Sequence, residues 1–173
     1  MIRPLTPDDA RELAALLVEN RAFLAPFDPP RDERFYTVEG QLERIEREDK
    51  HVFAILDDDR IAGTATLSNV VRGPLQSANL GYWVAERANG RGLATKAVAE
   101  LIPVAFGDLG LHRLEAGTLT DNLASQRVLE KNGFERIGLA RGYLHIGGEW
   151  RDHVLFQLLS THARNGDSGS ANE

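Results

Sequence analysis

Between Trp83 and Lys96 the chain reads Trp-Val-Ala-Glu-Arg-Ala-Asn-Gly-Arg-Gly-Leu-Ala-Thr-Lys, and this stretch constrains the fold more than any other. A strand-like run from Asn79 to Ala85 passes into a glycine turn, which passes directly into a helix starting near Leu93. A strand feeding a helix in this way belongs to a layered arrangement in which the helix folds back over a sheet. The first turn of such a helix carries backbone N–H groups without intrahelical partners and the positive end of the helix dipole. Gly90 and Gly92 allow a large anion close to that backbone. The chemistry implied is a bound phosphate or pyrophosphate, with Arg87, Arg91 and Lys96 as added positive charge. Two common phosphate loops do not fit. A P-loop needs glycine immediately before its lysine, and here Thr95 precedes Lys96. A dinucleotide fingerprint needs its third small residue at another offset, and it opens a parallel sheet, whereas the strands before this loop read as antiparallel. A turn that merely joins strand to helix stays open as the alternative.

Periodicity outward from the loop supplies the other elements. Ile2–Leu5 reads as a short strand, and Thr6 caps a helix with Asp8 and Asp9 in its first turn and Leu13, Leu16 and Leu17 along one face. Residues 19–30 form an irregular connection. Residues 33–50 are charged, with Phe35, Val38, Leu42 and Ile45 at helical spacing. Strands follow at 51–56 and 61–71, joined by the three aspartates 57–59, and a third lies at 79–85. The helix from Leu93 to about Phe106 has Leu93, Ala97, Leu101 and Ala105 on one stripe and should kink at Pro103. A strand at 112–119, a helix at 121–132 ended by Gly133, and two strands over 134–158 turning at Gly147-Gly148 complete the chain. The order β-α-α-β-β-β-α-β-α-β-β predicts an α/β fold of the α+β type. Its central sheet is mixed and mostly antiparallel, with one parallel crossover. Residues 1–161 read as one domain, and the polar, small-residue run 162–173 as a disordered tail.

Composition removes whole classes of chemistry. With no cysteine there is no disulfide, no thiolate metal site and no acyl-cysteine intermediate. The net charge of −6 argues against nucleic-acid binding and, weakly, for a cationic substrate. No run of apolar residues is long enough to span a membrane, so no membrane partner is expected. The N-terminal residues lack the zones of a signal peptide, so a cytoplasmic location is the expectation. His145 and His153 lack metal-ligand spacing, and no metal is expected.

A second motif follows. Residues 120–134 read Thr-Asp-Asn-Leu-Ala-Ser-Gln-Arg-Val-Leu-Glu-Lys-Asn-Gly-Phe. Asn122 and Ser125, three apart, project from one side of a helix's first turn, where an amide and a hydroxyl can bond a ligand. Helix capping by Asp121 or Asn122 is the competing reading. Asn89-Gly90-Arg91-Gly92-Leu93-Ala94 resembles the acetyl-CoA pyrophosphate loop of the GNAT superfamily, Gln/Arg-x-x-Gly-x-Gly/Ala. Gly92 and Ala94 take its small positions, and Asn89 departs from the usual first residue. The second motif resembles the Asn-x-x-Ser…Leu-x-x-x-Gly-Phe signature of the RimJ/RimL branch, as do Gly110 to Ala116 before it and Tyr143 to His153 after it. The likeness covers Leu80 to Leu158 well and the first half loosely.

That resemblance implies a GNAT-like sheet with helices on both faces and a parallel strand pair that splays apart. It implies acetyl-CoA as co-substrate, with no metal. Trp83 and Val84 would offer backbone groups to the pantetheine and to the oxyanion formed when a free amine attacks the thioester directly. Asn89, Gly90, Arg91, Gly92, Leu93, Ala94 and Thr95 would hold the pyrophosphate, with Asn122 and Ser125 nearby. Ser125 would serve the departing thiolate as acid. The glutamate that such enzymes carry before the Tyr-Leu pair is here Gly142. Glu115, His145 and Glu149 are candidate bases by type, and the base is unassigned. Phe23 and Phe27 would wall the acceptor with Tyr143 opposite, or else be core residues. The acceptor implied is a protein or peptide N-terminal amine of ribosomal-protein type. A small amine (amino acid, polyamine or antibiotic), a longer acyl donor, or a non-catalytic acyl-CoA sensor are the alternatives. The edge strands and final hairpin leave room for a homodimer.

Overall fold

Alternation along the strands sets the layering. In the strand His51–Asp57, Phe53 and Ile55 point into one apolar cluster, while Val52 and Ala54 point into another on the opposite face. A sheet apolar on both sides needs cover on both sides, and the helices supply it. The computed structural model describes residues 1–47 and 50–160. Its elements are β1 (Ile2–Pro4), α1 (Ala10–Glu19), α2 (Arg21–Leu24), α3 (Val38–Ile45), β2 (His51–Asp57), β3 (Arg60–Val71), β4 (Ser77–Val84), α4 (Leu93–Pro103), β5 (Arg113–Leu119), α5 (Leu123–Lys131), β6 (Glu135–Ile146) and β7 (Glu149–Leu159). The strands form one seven-stranded sheet in the order β1-β2-β3-β4-β5-β7-β6, antiparallel except for β4 against β5. One cluster holds Leu13, Leu16 and Leu17 of α1; the other holds Ala97, Val98 and Leu101 of α4 and Leu129 of α5. The mixed sheet with helices on both faces is the fold class read from the sequence.

Three local outcomes differ from the expectation. The helix foreseen over 33–50 begins as a 3-10 turn, Glu33–Tyr36, and restarts at Val38. Thr37 causes the break: its Oγ1 accepts from the Gly40 N–H at 3.1 Å and caps α3. Pro103 ends α4 as a regular helix, and the chain continues as a wider π-helical turn, Val104–Asp108, closed by the Leu109 N–H on the Val104 carbonyl. Within the loop read as irregular, α2 forms a single helical turn. The tail 162–173 lies outside the described residues.

The N-terminal strand is fastened to the helix that follows it. The Asp9 carboxylate accepts from the Thr6 N–H at 2.8 Å and from both terminal nitrogens of Arg3 at 2.7 and 2.8 Å. The Arg3 hydrogen bond, with further help from Thr6, holds the buried Asp9 well below the usual carboxylate range, at about 2.

Candidate active site

β4 and β5 pair over Ser77↔Arg113, Ala78↔Leu114 and Asn79↔Glu115 only, although β4 runs on to Val84 and β5 to Leu119. Beyond Asn79 the two strands diverge and open a gap in the middle of the sheet. Register tells which backbone groups face it. The Ala85 N–H donates to the Ala62 carbonyl at 2.7 Å, so alternation turns the polar groups of Trp83 onto β3 as well, opposite Thr64. Tyr82 and Val84 turn theirs into the gap. Sequence reasoning named Trp83 and Val84 as the residues offering backbone groups; by register the groups facing the gap are those of Tyr82 and Val84, and Trp83 lines the cavity.

A cavity of about 580 Å³ runs through this gap. On the α4/α5 face it is lined by Tyr82, Asn122, Ser125 and Leu129. On the α1/α3 face it is lined by Thr64, Thr66 and Trp83 beneath Leu17, Leu24, Phe27 and Phe35. An opening lined from both faces lets two substrates enter from opposite sides and meet between the strands. One polar atom on its wall lacks a partner: the buried Thr118 hydroxyl of β5 makes no hydrogen bond among the described residues. An unsatisfied buried hydroxyl costs free energy that a bound polar ligand would recover.

The glycine loop lies at the start of α4. Gly90 and Gly92 have φ of +73° and +77°, and a Cβ built on either would meet nothing within 4 Å. Gly92 is the N-cap of α4 and contributes no side-chain cap, and the first helical bond closes from Lys96 N–H to the Gly92 carbonyl. The N–H groups of Leu93, Ala94 and Thr95 are therefore left for an external acceptor. Asn89 donates its N–H to the Glu86 carbonyl at 3.1 Å, and Arg91 is ion-paired with Asp57 of the β2–β3 turn.

At α5 the capping reading of Asn122 holds, and the residue also stands on the cavity wall. Its Oδ1 accepts from the Ser125 N–H at 3.1 Å. Ser125 meets a partner that sequence reasoning did not name. The Tyr82 hydroxyl lies 2.9 Å from Ser125 Oγ and 3.1 Å from the Ser125 carbonyl oxygen. Burial pushes the Tyr82 phenol up to about 12, against a smaller opposing pull from its bond to Ser125. Tyr82 therefore keeps its proton and can donate to either Ser125 oxygen. The clue in the sequence was its position two residues from both Leu80 and Val84: a polar-tipped ring on an inward-facing strand position needs a partner.

Glu115, His145 and Glu149 lie off the cavity wall. Glu115 is paired with Arg113 at 2.7 Å, the His145 ring packs 5.6 Å from the Trp150 ring, and Glu149 is exposed at the β6–β7 turn. His153 does line the cavity and is buried. Its Nδ1 lies 3.1 Å from the Arg151 carbonyl oxygen. A carbonyl can only accept, so Nδ1 carries a hydrogen in this contact and Nε2 is the ring nitrogen it leaves unused. Gly142, where the family carries glutamate, donates its N–H to Asp152 at 2.8 Å in a bulged part of β6. Phe27 lines the cavity; Phe23 and Tyr143 do not, the Phe23 ring lying tilted to that of Phe27 with centroids 6.4 Å apart and Tyr143 packing 5.4 Å from the His153 ring.

Comparison with known proteins bears on this arrangement directly. Residues 1–135 match the family described as the acetyltransferase (GNAT) domain. The chain belongs to the GNAT acetyltransferases. Among curated GNAT relatives, the protein named "Probable N-acetyltransferase YjcK" of Bacillus subtilis is 42% identical over 92% of this chain and 93% of its own length. The ribosomal protein uS5-alanine N-acetyltransferase of Escherichia coli is 35% identical over 92% of this chain and 87% of its own. The solved structure of Mycobacterium smegmatis RimJ in complex with CoA-disulfide superimposes with a TM-score of 0.86 at 31% identity, covering 93% of this chain and 82% of that one. The GNAT chain is thus an acetyltransferase whose near relatives are of the RimJ/RimL type. Among its described residues, no helix is long and apolar enough to cross a membrane.

Proposed function

We propose that this chain transfers an acetyl group from acetyl-CoA to the N-terminal amine of a protein or peptide. The observation that carries the reading is the gap between β4 and β5, lined from both faces of the sheet, with the Ser125–Tyr82 pair on one face and His153 on the other wall. The residues present fit the donor. The uncapped start of α4, with open space over Gly90 and Gly92, suits a diphosphate. The free backbone groups of Tyr82 and Val84 and the orphan Thr118 hydroxyl suit the amides of a pantetheine arm. Acetyl-CoA supplies a thioester, an acyl group already activated toward an amine.

The chain's own groups do the rest. Ser125 turns its O–H toward the sulfur as negative charge gathers there. Tyr82 then swings its own O–H from the Ser125 carbonyl onto Ser125 Oγ, so the serine oxygen is never left without a donor. The backbone N–H of Val84, facing the gap, is placed to stabilise charge on the acyl oxygen. His153 Nε2 takes the proton that the attacking amine gives up. Phe27 and Trp83 cover the acceptor entrance and exclude water. The Escherichia coli relative, named for a ribosomal-protein alanine, supports the N-terminal acceptor.

The test is thiol release from acetyl-CoA with peptides bearing Ala, Ser or Asp N-termini, free amino acids, polyamines and aminoglycosides. Release that depends on the peptide amines supports the reading. Release with polyamines or aminoglycosides alone replaces the acceptor, and failure to bind acetyl-CoA in calorimetry overturns it.

A further inference from the structure

α3 carries a guanidinium group that the transfer chemistry leaves unused. Gln41 and Arg44 are three apart on α3 and so share a face of the helix. Gln41 is fully buried. Its amide donates to the Phe35 carbonyl, and its Oε1 accepts from Arg44 Nη1 at 3.2 Å. This fixes Arg44 against the acceptor side of the cavity, whose wall it forms together with Arg31.

Arg31 and Arg44 stand together on this wall, with Asp28 the acid beside them. Arg31 and Arg44 flank one aromatic ring, with their Cζ atoms 4.8 and 5.7 Å from the Phe35 centroid. Asp28 binds Arg31 through both carboxylate oxygens, each at 2.9 Å. Glu43, the other acid on this wall, is held by Arg34. Arg44 is in no ion pair with a carboxylate among the described residues; burial and the neighbouring Arg31 charge, against a smaller pull from Asp28, push it down to about 10. A half-buried cation in no such pair gains most from a planar oxyanion, which a guanidinium binds through two parallel hydrogen bonds.

Resting on the acetyl-transfer reading, we infer that Arg44, held by Gln41 beside Arg31, binds a carboxylate of the amine acceptor. The carboxylate belongs either to the α-carboxyl of a free amino acid or to an acidic side chain close to a peptide N-terminus. The amine end then reaches the gap between β4 and β5 while the acid end rests on α3. The same wall repels polyamines. The inference runs against the net charge of −6, which on its own suggests a cationic substrate.

The experiment compares kcat/KM for acceptor pairs that differ only as carboxylate and carboxamide. Alanine against alaninamide tests the α-carboxyl, and amidated Ala-Asp-Ala against amidated Ala-Asn-Ala tests the side chain. The carboxylate member of one pair should be favoured by about tenfold or more, the pair naming the source. Arg44→Gln should bring that ratio to within about twofold, chiefly through KM, and Arg44→Lys should keep part of it. Equal kcat/KM within both pairs for the wild-type chain, a measurement that needs no variant, overturns the carboxylate subsite and leaves acetyl transfer standing. A ratio that survives Arg44→Gln overturns it too, as does a variant whose defect is weaker acetyl-CoA binding in calorimetry. No thiol release with any acceptor, together with no acetyl-CoA binding, overturns both readings.

Discussion

Tyr82 and Ser125 stand 43 positions apart in sequence and 2.9 Å apart in space. A serine hydroxyl is a weak acid on its own, and the contact says how it can serve. Tyr82 can donate a hydrogen bond to the serine oxygen while the serine donates its own hydrogen bond to sulfur, and the tyrosine keeps its proton. Ser125→Ala should therefore lower kcat by roughly tenfold to hundredfold, with the Kd for acetyl-CoA in calorimetry within about twofold of wild type. Equal losses in both would make Ser125 a binding residue. Tyr82→Phe keeps the ring and removes the donor, so it should lower kcat by a smaller factor in the same direction. Ser125 was legible because it sits in a spaced motif. For Tyr82 alternation marks only an inward polar-tipped ring, and its contact with Ser125 exists only once β4 and α5 come together. Arg44 was hidden differently: in a charged helix, an arginine bound for a cavity reads the same as one bound for water. His153 was set aside with His145 as a metal ligand, and of the two only His145 was named as a candidate base. Only the register of β7 against β5, which sets His153 opposite Leu119, separates them.

At the scale of elements, most of the fold was readable, since each helix and strand carries its own period and its own punctuation. The reading failed where local chemistry overruled period. Thr37 caps α3 inside an otherwise continuous helical pattern, and Pro103 converts the end of α4 into a π turn. Two predictions belong here. Gly92→Glu puts a carboxylate where the α4 N–H groups await an anion, and nothing of the protein lies within 4 Å of the new Cβ. Acetyl-CoA affinity should fall at least about a hundredfold by like-charge repulsion. The positive φ at Gly92 should also lower stability by roughly 1–2 kcal/mol, visible as a separate drop in Tm. Unchanged affinity would remove the loop from the donor site. At the other end of the chain, Asp9 joins β1 to the start of α1. Its folded pKa lies below its unfolded one, so its contribution is whole above about pH 4 and fades as pH falls toward about 2. Asp9→Asn should cost about 2 kcal/mol in urea unfolding at pH 6, and the gap to wild type should narrow between pH 4 and pH 2.

Over the whole molecule, the proposed donor site draws on both sides of the sheet's gap, so occupancy should be felt globally. Acetyl-CoA at a hundred times its Kd should add about 2.7 kcal/mol and raise Tm by about 5–10 °C in a chain of this size. A shift of under 2 °C at that concentration would mean that the unfolded chain binds nearly as well, or that the site is not formed. The brief parallel pairing from Ser77 to Asn79 has a mechanical meaning as well. Among the described residues it is the only ladder joining β1–β4 to β5–β7, and it stops where the gap begins. The enzyme is in effect two lobes sharing a short seam, with the rest of the seam left unstitched. A substrate lying in that slot would bond to both lips and close the sheet's own hydrogen-bond ladder for as long as it stayed. Turnover would then loosen and tighten the two lobes once per cycle, and slowed amide exchange at Tyr82 and Val84 would report each closure.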